Sequence, residues 1–156
     1  MDASYLTHSD SKGHTGYTMG FGWGTGTFYC KSQKQSTVTT SSTHAEMRAI
    51  YALVKDILFV IQLCREIHIQ LHLPAIILED NSAVIQMATE EASHLKKCKH
   101  FSMLINFVRE QVDRRIVAVE KVPGLQNNSD ILTKKVRDST YGKKASKFTG
   151  HGGTSA

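Results

Sequence analysis

Cysteine is scarce in this chain. Cys30, Cys64 and Cys98 are an odd number, with no C-x-x-C pair and no zinc-like grouping with histidine. A disulfide framework and a structural zinc centre are thereby excluded, and the three read as reduced, structural thiols. Their even spacing marks no repeat, because YCKS, LCRE and KCKH share nothing. Long hydrophobic runs are missing too. The longest, Ile57 to Leu63, is broken by Gln62 and falls far short of the ~20 residues that cross a bilayer, so a membrane protein is not expected. The start, MDASYLTHSD, has an acid at position 2 and no apolar segment, so no secretory signal is expected and the default setting is intracellular. The glycines of GFGWGTG do not complete G-x-G-x-x-G, which removes a dinucleotide fingerprint. The eight histidines form no H-E-x-x-H, and Ser41 and Ser42 have no partnered His and Asp, so they read as helix-start residues rather than nucleophiles.

What remains is material for one folded unit. The 156 residues are 40% apolar and 21% charged, enough for one domain with a buried core. Lys and Arg number 19 against 14 Asp and Glu, giving a net charge of +5 and a pI near 9.2. That excess suits a polyanionic partner without identifying one.

From Gly16 to Ser32 the alternation of Met19, Phe21 and Trp23 with Gly20, Gly22 and Gly24 predicts a strand pair turning near Gly24 to Gly26. Tyr17, Phe21 and Trp23 are assigned to the core, since the glycine side offers no rings for base stacking. A Thr/Ser-rich strand or loop follows. Met47, Ile50, Val54, Ile57, Leu58 and Ile61 then recur at helical spacing, predicting a helix from Thr43 to Ile67. Pro74 ends that pattern, and AIILED reads as a buried parallel strand. Asn81 and Ser82 can cap a second helix, NSAVIQMATEEA. Phe101, Leu104, Ile105, Val108 and Val112 predict a third, IVAVEKV a last strand, and a short helix begins near Ser129. The order β-β-β-α-β-α-α-β-α implies an α/β fold with a mixed sheet, an antiparallel meander joined to parallel strands and flanked by helices. The folded domain is expected over 1–137, with a disordered basic, glycine-rich tail over 138–156.

Four carboxylates stand where strands end or helices start: Asp2, Glu46, Asp80 and Asp130. Each has a structural explanation. Thr43 to Glu46 fits a capping box, Asp80 can cap the next helix, Asp130 lies in a first helical turn, and Asp2 is a polar residue at a chain end. Together they argue otherwise, because a mixed α/β sheet brings such positions to one rim. Four anions facing one another need cations between them, and an all-oxygen set suits Mg²⁺ or Mn²⁺. Two such ions about 4 Å apart support in-line hydrolysis of a phosphodiester.

The strings DASYLTHSD, HTGY, KSQKQSTVTTSSTHAEMRAI, LEDNSAVIQMA, KKCKHFSMLINFVREQV and SDILTKK resemble, in order and spacing, the ribonuclease H domain of the reverse transcriptase of copia-type (Pseudoviridae-like) LTR retrotransposons, from about Asp2 to Lys135. The resemblance implies a five-stranded mixed sheet with flanking helices. It also implies two-metal cleavage of the RNA strand of RNA/DNA hybrids, with Asp2, Glu46, Asp80 and Asp130 as catalytic and metal-binding residues. Asp2 would bridge both ions, Asp130 would complete the site of the ion holding the nucleophilic water, and Glu46 and Asp80 would hold the other. Glu46 would also lie near the 2'-hydroxyl that separates RNA from DNA. The implied partners are a hybrid and the reverse transcriptase portion of the same polyprotein, in the cytoplasm (a virus-like particle) or nucleus, with no membrane and no small-molecule cofactor.

Two departures from the family pattern stand out. The loop VPGLQNNSD lacks the histidine that many ribonucleases H carry before the last acid, so slower turnover is expected. The sequence opens one residue before Asp2, so the first half of the central strand is absent and Asp2 is expected to be poorly held. The rival reading is therefore a catalytically silent, connection-type remnant that binds nucleic acid or is only structural. Lys96, Lys97, Lys99 and His100 match the family's basic K-H motif and read equally as phosphate contacts or as a solvated helix start. The tail lysines read as a loose basic tail.

Overall fold

The structure is a computed structural model that describes residues 1–22, 25–90 and 99–133. Three antiparallel strands come first: β1 (Asp2–Ser4), β2 (Lys12–Gly20) and β3 (Thr27–Val38). Asp2 lies opposite Gly16 in the first pair, and Gly16 lies opposite Ser32 in the second. Helix α1 (Ser42–Glu66) leads to β4 (Ala75–Glu79), then α2 (Ser82–Thr89), α3 (Lys99–Asp113) and β5 (Val117–Lys121). Strands β4 and β5 pair in parallel, from Ala75 opposite Val117 to Glu79 opposite Lys121. Parallel neighbours require a crossover, and α2 and α3 lie in it. Two 3-10 turns follow, Gly124–Gln126 and Asn128–Leu132, the second where the sequence predicts a last helix beginning near Ser129.

The order of elements matches expectation, but the single five-stranded sheet does not form. The strands make a three-stranded sheet, β1-β2-β3, and a separate two-stranded one, β4-β5. All three residues of β1 are paired to β2. From the β1 end, the Met1 amino group donates to the Leu78 carbonyl at 2.8 Å, one bond where a ladder needs a repeated series.

The core lies where α1 covers the strands. Met47, Ile50, Val54 and Ile57 on α1 meet Tyr17, Ile77, Val84, Ile105, Val108 and Val117. Fully burying such aliphatic side chains contributes roughly 1.5–3 kcal/mol each. Ser41 caps α1 by accepting the His44 N–H at 3.1 Å, so the helix starts one residue before the expected Thr43. Glu46 therefore falls too late to close a capping box, and its structural explanation is withdrawn.

Behind the core, Asp56 of α1 accepts hydrogen bonds from the Tyr17 hydroxyl at 2.6 Å, the Tyr29 hydroxyl at 3.0 Å and Lys31 Nζ at 3.1 Å. This network joins α1 to β2 and β3. The core assignment holds for Tyr17, which has no exposed surface, and fails for Phe21, which is 62% exposed. Phe21 stacks on Phe28 with ring centroids 4.3 Å apart, near the tip of the β2 and β3 hairpin. Trp23, Cys98, Lys96 and Lys97, the predicted C-terminal end of α2 and residues 134–156, with the tail lysines, lie outside the described residues. Cys64 is buried, while Cys30 is exposed. Among the described residues no helix is long and apolar enough to cross a membrane.

Candidate metal centre

Strand β4 delivers the first acids. Ile77 and Glu79 are two apart and point to the same buried side, which carries Glu79 into the interior with no exposed surface. The chain leaves the strand at Asp80, and Asn81 caps α2 by accepting the Ala83 N–H at 2.9 Å. The backbone N–H groups of Asp80 and Asn81 donate to Glu79 Oε1 at 3.1 and 2.9 Å. From α1, Glu46 approaches the same place and accepts a hydrogen bond from Asn81 Nδ2. Glu46, Glu79 and Asp80 each offer an oxygen within 4.8 Å of the others.

The electrostatics of this group are unfavourable as it stands. Glu79 Oε2 is buried and has no hydrogen-bond partner among the described residues. Burial pushes the Glu79 carboxyl up to about 8. The Glu46 and Asp80 charges act in the same direction, against the Asn81 N–H and the Met1 ammonium.

Asp2 and Asp130 are placed by different elements, which Thr133 links. Asp2 is 2% exposed, held in the ladder opposite Gly16, and accepts a hydrogen bond from Thr133 Oγ1. The expectation that it would be loosely held is overturned. Asp130 sits in the turn Asn128–Leu132, whose cap Asn127 accepts the Ser129 N–H at 3.2 Å and donates to the Met1 carbonyl at 2.7 Å. Thr133 donates its N–H to the Asp130 carbonyl at 3.2 Å, so a single residue ties Asp2 to the Asp130 turn.

The Met1 ammonium relates the two groups. Burial lowers its pKa, and the charges of Glu79, Asp2, Asp80 and Asp130 oppose that shift. The Met1 amino group thus feels the charges of acids from β1, from the β4 end and from the C-terminal turn.

Three of the residues that build this end of the molecule were not selected from the sequence. Glu79 closes the apolar run AIILE, and its two-residue offset from Ile77 is the signal that places it on the buried side. Lys121 Nζ donates to the Asp80 carbonyl and, at 2.7 Å, to Ser82 Oγ, holding the turn between β4 and α2. A Cβ on Gly124 would lie 3.1 Å from Asp80 Oδ2, so the chain passes close to that carboxylate here. Lys99 and His100 open α3, while Lys96 and Lys97 fall outside the described residues.

The donor set fits a hard divalent cation. It is made of carboxylate oxygens, it is crowded with like charge, and it contains a buried oxygen lacking a partner. Such a cation would offset the burial and the Glu46 and Asp80 charges that raise Glu79.

The chain is similar to part of two plant transposon proteins. It is 29% identical over 117 residues to the retrovirus-related Pol polyprotein from transposon RE1 of Arabidopsis thaliana, covering 75% of this chain and 8% of that protein. It is 31% identical over 103 residues to the retrovirus-related Pol polyprotein from transposon RE2 of the same plant, covering 66% of this chain and 7% of that protein. The chain therefore spans less than a tenth of the curated relatives it matches. No protein-family model matches it, and no solved structure matches it at a significant level.

Proposed function

We propose that the chain is a divalent-metal-dependent nuclease domain of the ribonuclease H type, a part of a retrotransposon Pol polyprotein, that cleaves the RNA strand of RNA/DNA hybrids. The observation that carries this reading is the meeting of Glu46, Glu79 and Asp80 within 4.8 Å, from a helix and a strand end far apart in sequence. Asp2 and the Asp130 turn, tied through Thr133, supply the remaining acids. Similarity to transposon Pol polyproteins supports the same class of chemistry.

Glu46, Glu79 and Asp80 would hold one Mg²⁺ or Mn²⁺, and Asp2 with Asp130 would complete the site of a second. Bound there, the cation pair supplies activation of water and stabilisation of the leaving oxygen at phosphorus. The residues of this chain set the geometry. Asn81 orients Glu46 through its amide, Lys121 fixes the carbonyl of Asp80, and Thr133 orients Asp2. Lys96, Lys97, Lys99 and His100 would contact the phosphate backbone, giving affinity without sequence preference.

The test is incubation with an RNA/DNA hybrid labelled on the RNA strand, with Mg²⁺, Mn²⁺ or EDTA. Chelator-sensitive RNA cleavage is expected. Tight binding with no cleavage under any metal would replace the proposal by the silent, connection-type reading.

A further inference from the structure

Away from the carboxylates, a chain of hydrogen bonds crosses β2 and β3 and ends on the turn that carries Asp130. His8 Nε2 lies 3.0 Å from His14 Nδ1, and His14 Nε2 lies 2.8 Å from Ser32 Oγ. Ser32 Oγ donates to the Leu132 carbonyl at 2.7 Å, across 100 positions of sequence.

The direction of every link follows from the last one. A carbonyl oxygen only accepts, so the single hydroxyl proton of Ser32 points to Leu132. Ser32 Oγ must then accept from His14, which places a proton on His14 Nε2. Neutral His14 consequently accepts at Nδ1, and His8 Nε2 is the donor. The two imidazoles thus fix the orientation of one serine hydroxyl.

That hydroxyl is aimed at a short turn. The turn Asn128–Leu132 is a five-residue 3-10 helix, a geometry with poor hydrogen bonds. The bond at its start is long, Asp130 N–H to the Asn127 carbonyl at 3.5 Å, while Thr133 N–H reaches the Asp130 carbonyl at 3.2 Å. Its position is set from outside. Asn127 ties its start to Met1, and Ser32 ties its end to β3. Between them the turn lies against Gly16, where a Cβ would come 2.6 Å from Leu132 Cβ.

We infer that Ser32, oriented by the His14 and His8 imidazoles, is a positioning residue that sets the place of Asp130. The inference rests on the proposed nuclease reading for its effect on catalysis, but not for its effect on the turn. Ser32 bonds His14 and the Leu132 carbonyl, one step removed from Asp130, so its loss is expected to lower turnover and leave hybrid binding alone.

Two measurements on the whole chain test this, hybrid cleavage under Mg²⁺ and amide hydrogen exchange of residues 128–133. Ser32→Ala is expected to lower kcat by about 10-fold, as removal of an outer partner of a metal ligand does, with KM and the melting temperature unchanged. Exchange across the turn should quicken. Ser32→Thr, which keeps the hydroxyl on a residue suited to a strand, should restore both. Wild-type kcat with unchanged exchange in Ser32→Ala, or failure of Ser32→Thr to restore them, would overturn the assignment. If the wild-type chain cuts no hybrid, the nuclease reading falls and exchange alone decides: faster exchange in Ser32→Ala upholds the positioning role, and unchanged exchange removes it.

Discussion

A Cβ on Gly16 would lie 2.6 Å from Leu132 Cβ and 2.7 Å from Thr133 Cγ2. Gly16 also stands opposite both Asp2 and Ser32 in the sheet. The absence of a side chain at this one position lets β1, β3 and the Asp130 turn converge on β2. Gly16→Ala should therefore destabilise the fold by about 1–3 kcal/mol through overpacking, measured as a lower midpoint in urea unfolding. An Ala variant with wild-type stability would contradict the close approach.

The carboxylates should separate into distinct roles. Asp80→Asn and Glu46→Gln are expected to reduce hybrid cleavage by more than about 100-fold, beyond the effect of outer partners of a ligand, with the far-ultraviolet circular dichroism unchanged. Glu79→Gln keeps an oxygen for the Asp80 and Asn81 N–H groups but removes a charge. It should weaken Mn²⁺ binding about 10-fold in a direct titration followed by calorimetry. Unaltered Mn²⁺ affinity would remove Glu79 from the cation site.

The Asp56 network should govern acid stability. Burial raises the Asp56 pKa, but hydrogen bonds from Tyr17, Lys31 and Tyr29 outweigh it, so the carboxyl is held below its ordinary 3.8. A carboxylate depressed in the folded state stabilises above its unfolded pKa, and that contribution is lost as pH falls through the folded value. Thermal melts should show wild type losing stability below about pH 4 more steeply than Asp56→Asn. Tyr17→Phe, which removes one donor, should cost about 1–2 kcal/mol at neutral pH. Parallel pH profiles for wild type and Asp56→Asn would refute this.

Histidine should shape the next pH region. His14 is lowered from 6.5 by burial and by His8, and His44 is lowered by burial and by Arg48. Between those lowered values and 6.5 the unfolded chain binds more protons than the folded one, so stability rises with pH. The melting temperature should fall as pH drops from 7 towards 5. His14→Gln should flatten that slope in part, leaving the share of His44. A slope identical to wild type would show that His14 does not contribute.

Much of this architecture was readable because it depends on local periodicity. The spacing of Met47, Ile50, Val54 and Ile57 found α1, the run AIILE found β4, and Asn81 was recognised as the cap of α2. Phe21 misled because alternation along a strand states which side a residue faces, not whether anything covers that side. Glu79 was passed over for a related reason, since an acid closing an apolar strand reads as exposed until Glu46 and Asn81 are seen to fold over it.

Composition and order of residues were sufficient for the α/β succession of elements and for the places of α1, β4 and the α2 cap. Those features follow from backbone geometry and side-chain chemistry within short stretches of chain. The division into two sheets, the burial of Asp2 against Thr133, the addition of Glu79 and the link from His8 to Leu132 were decided only in three dimensions. Each depends on contacts between residues far apart in the chain, whose approach is set by which surfaces pack together and where a missing Cβ leaves room.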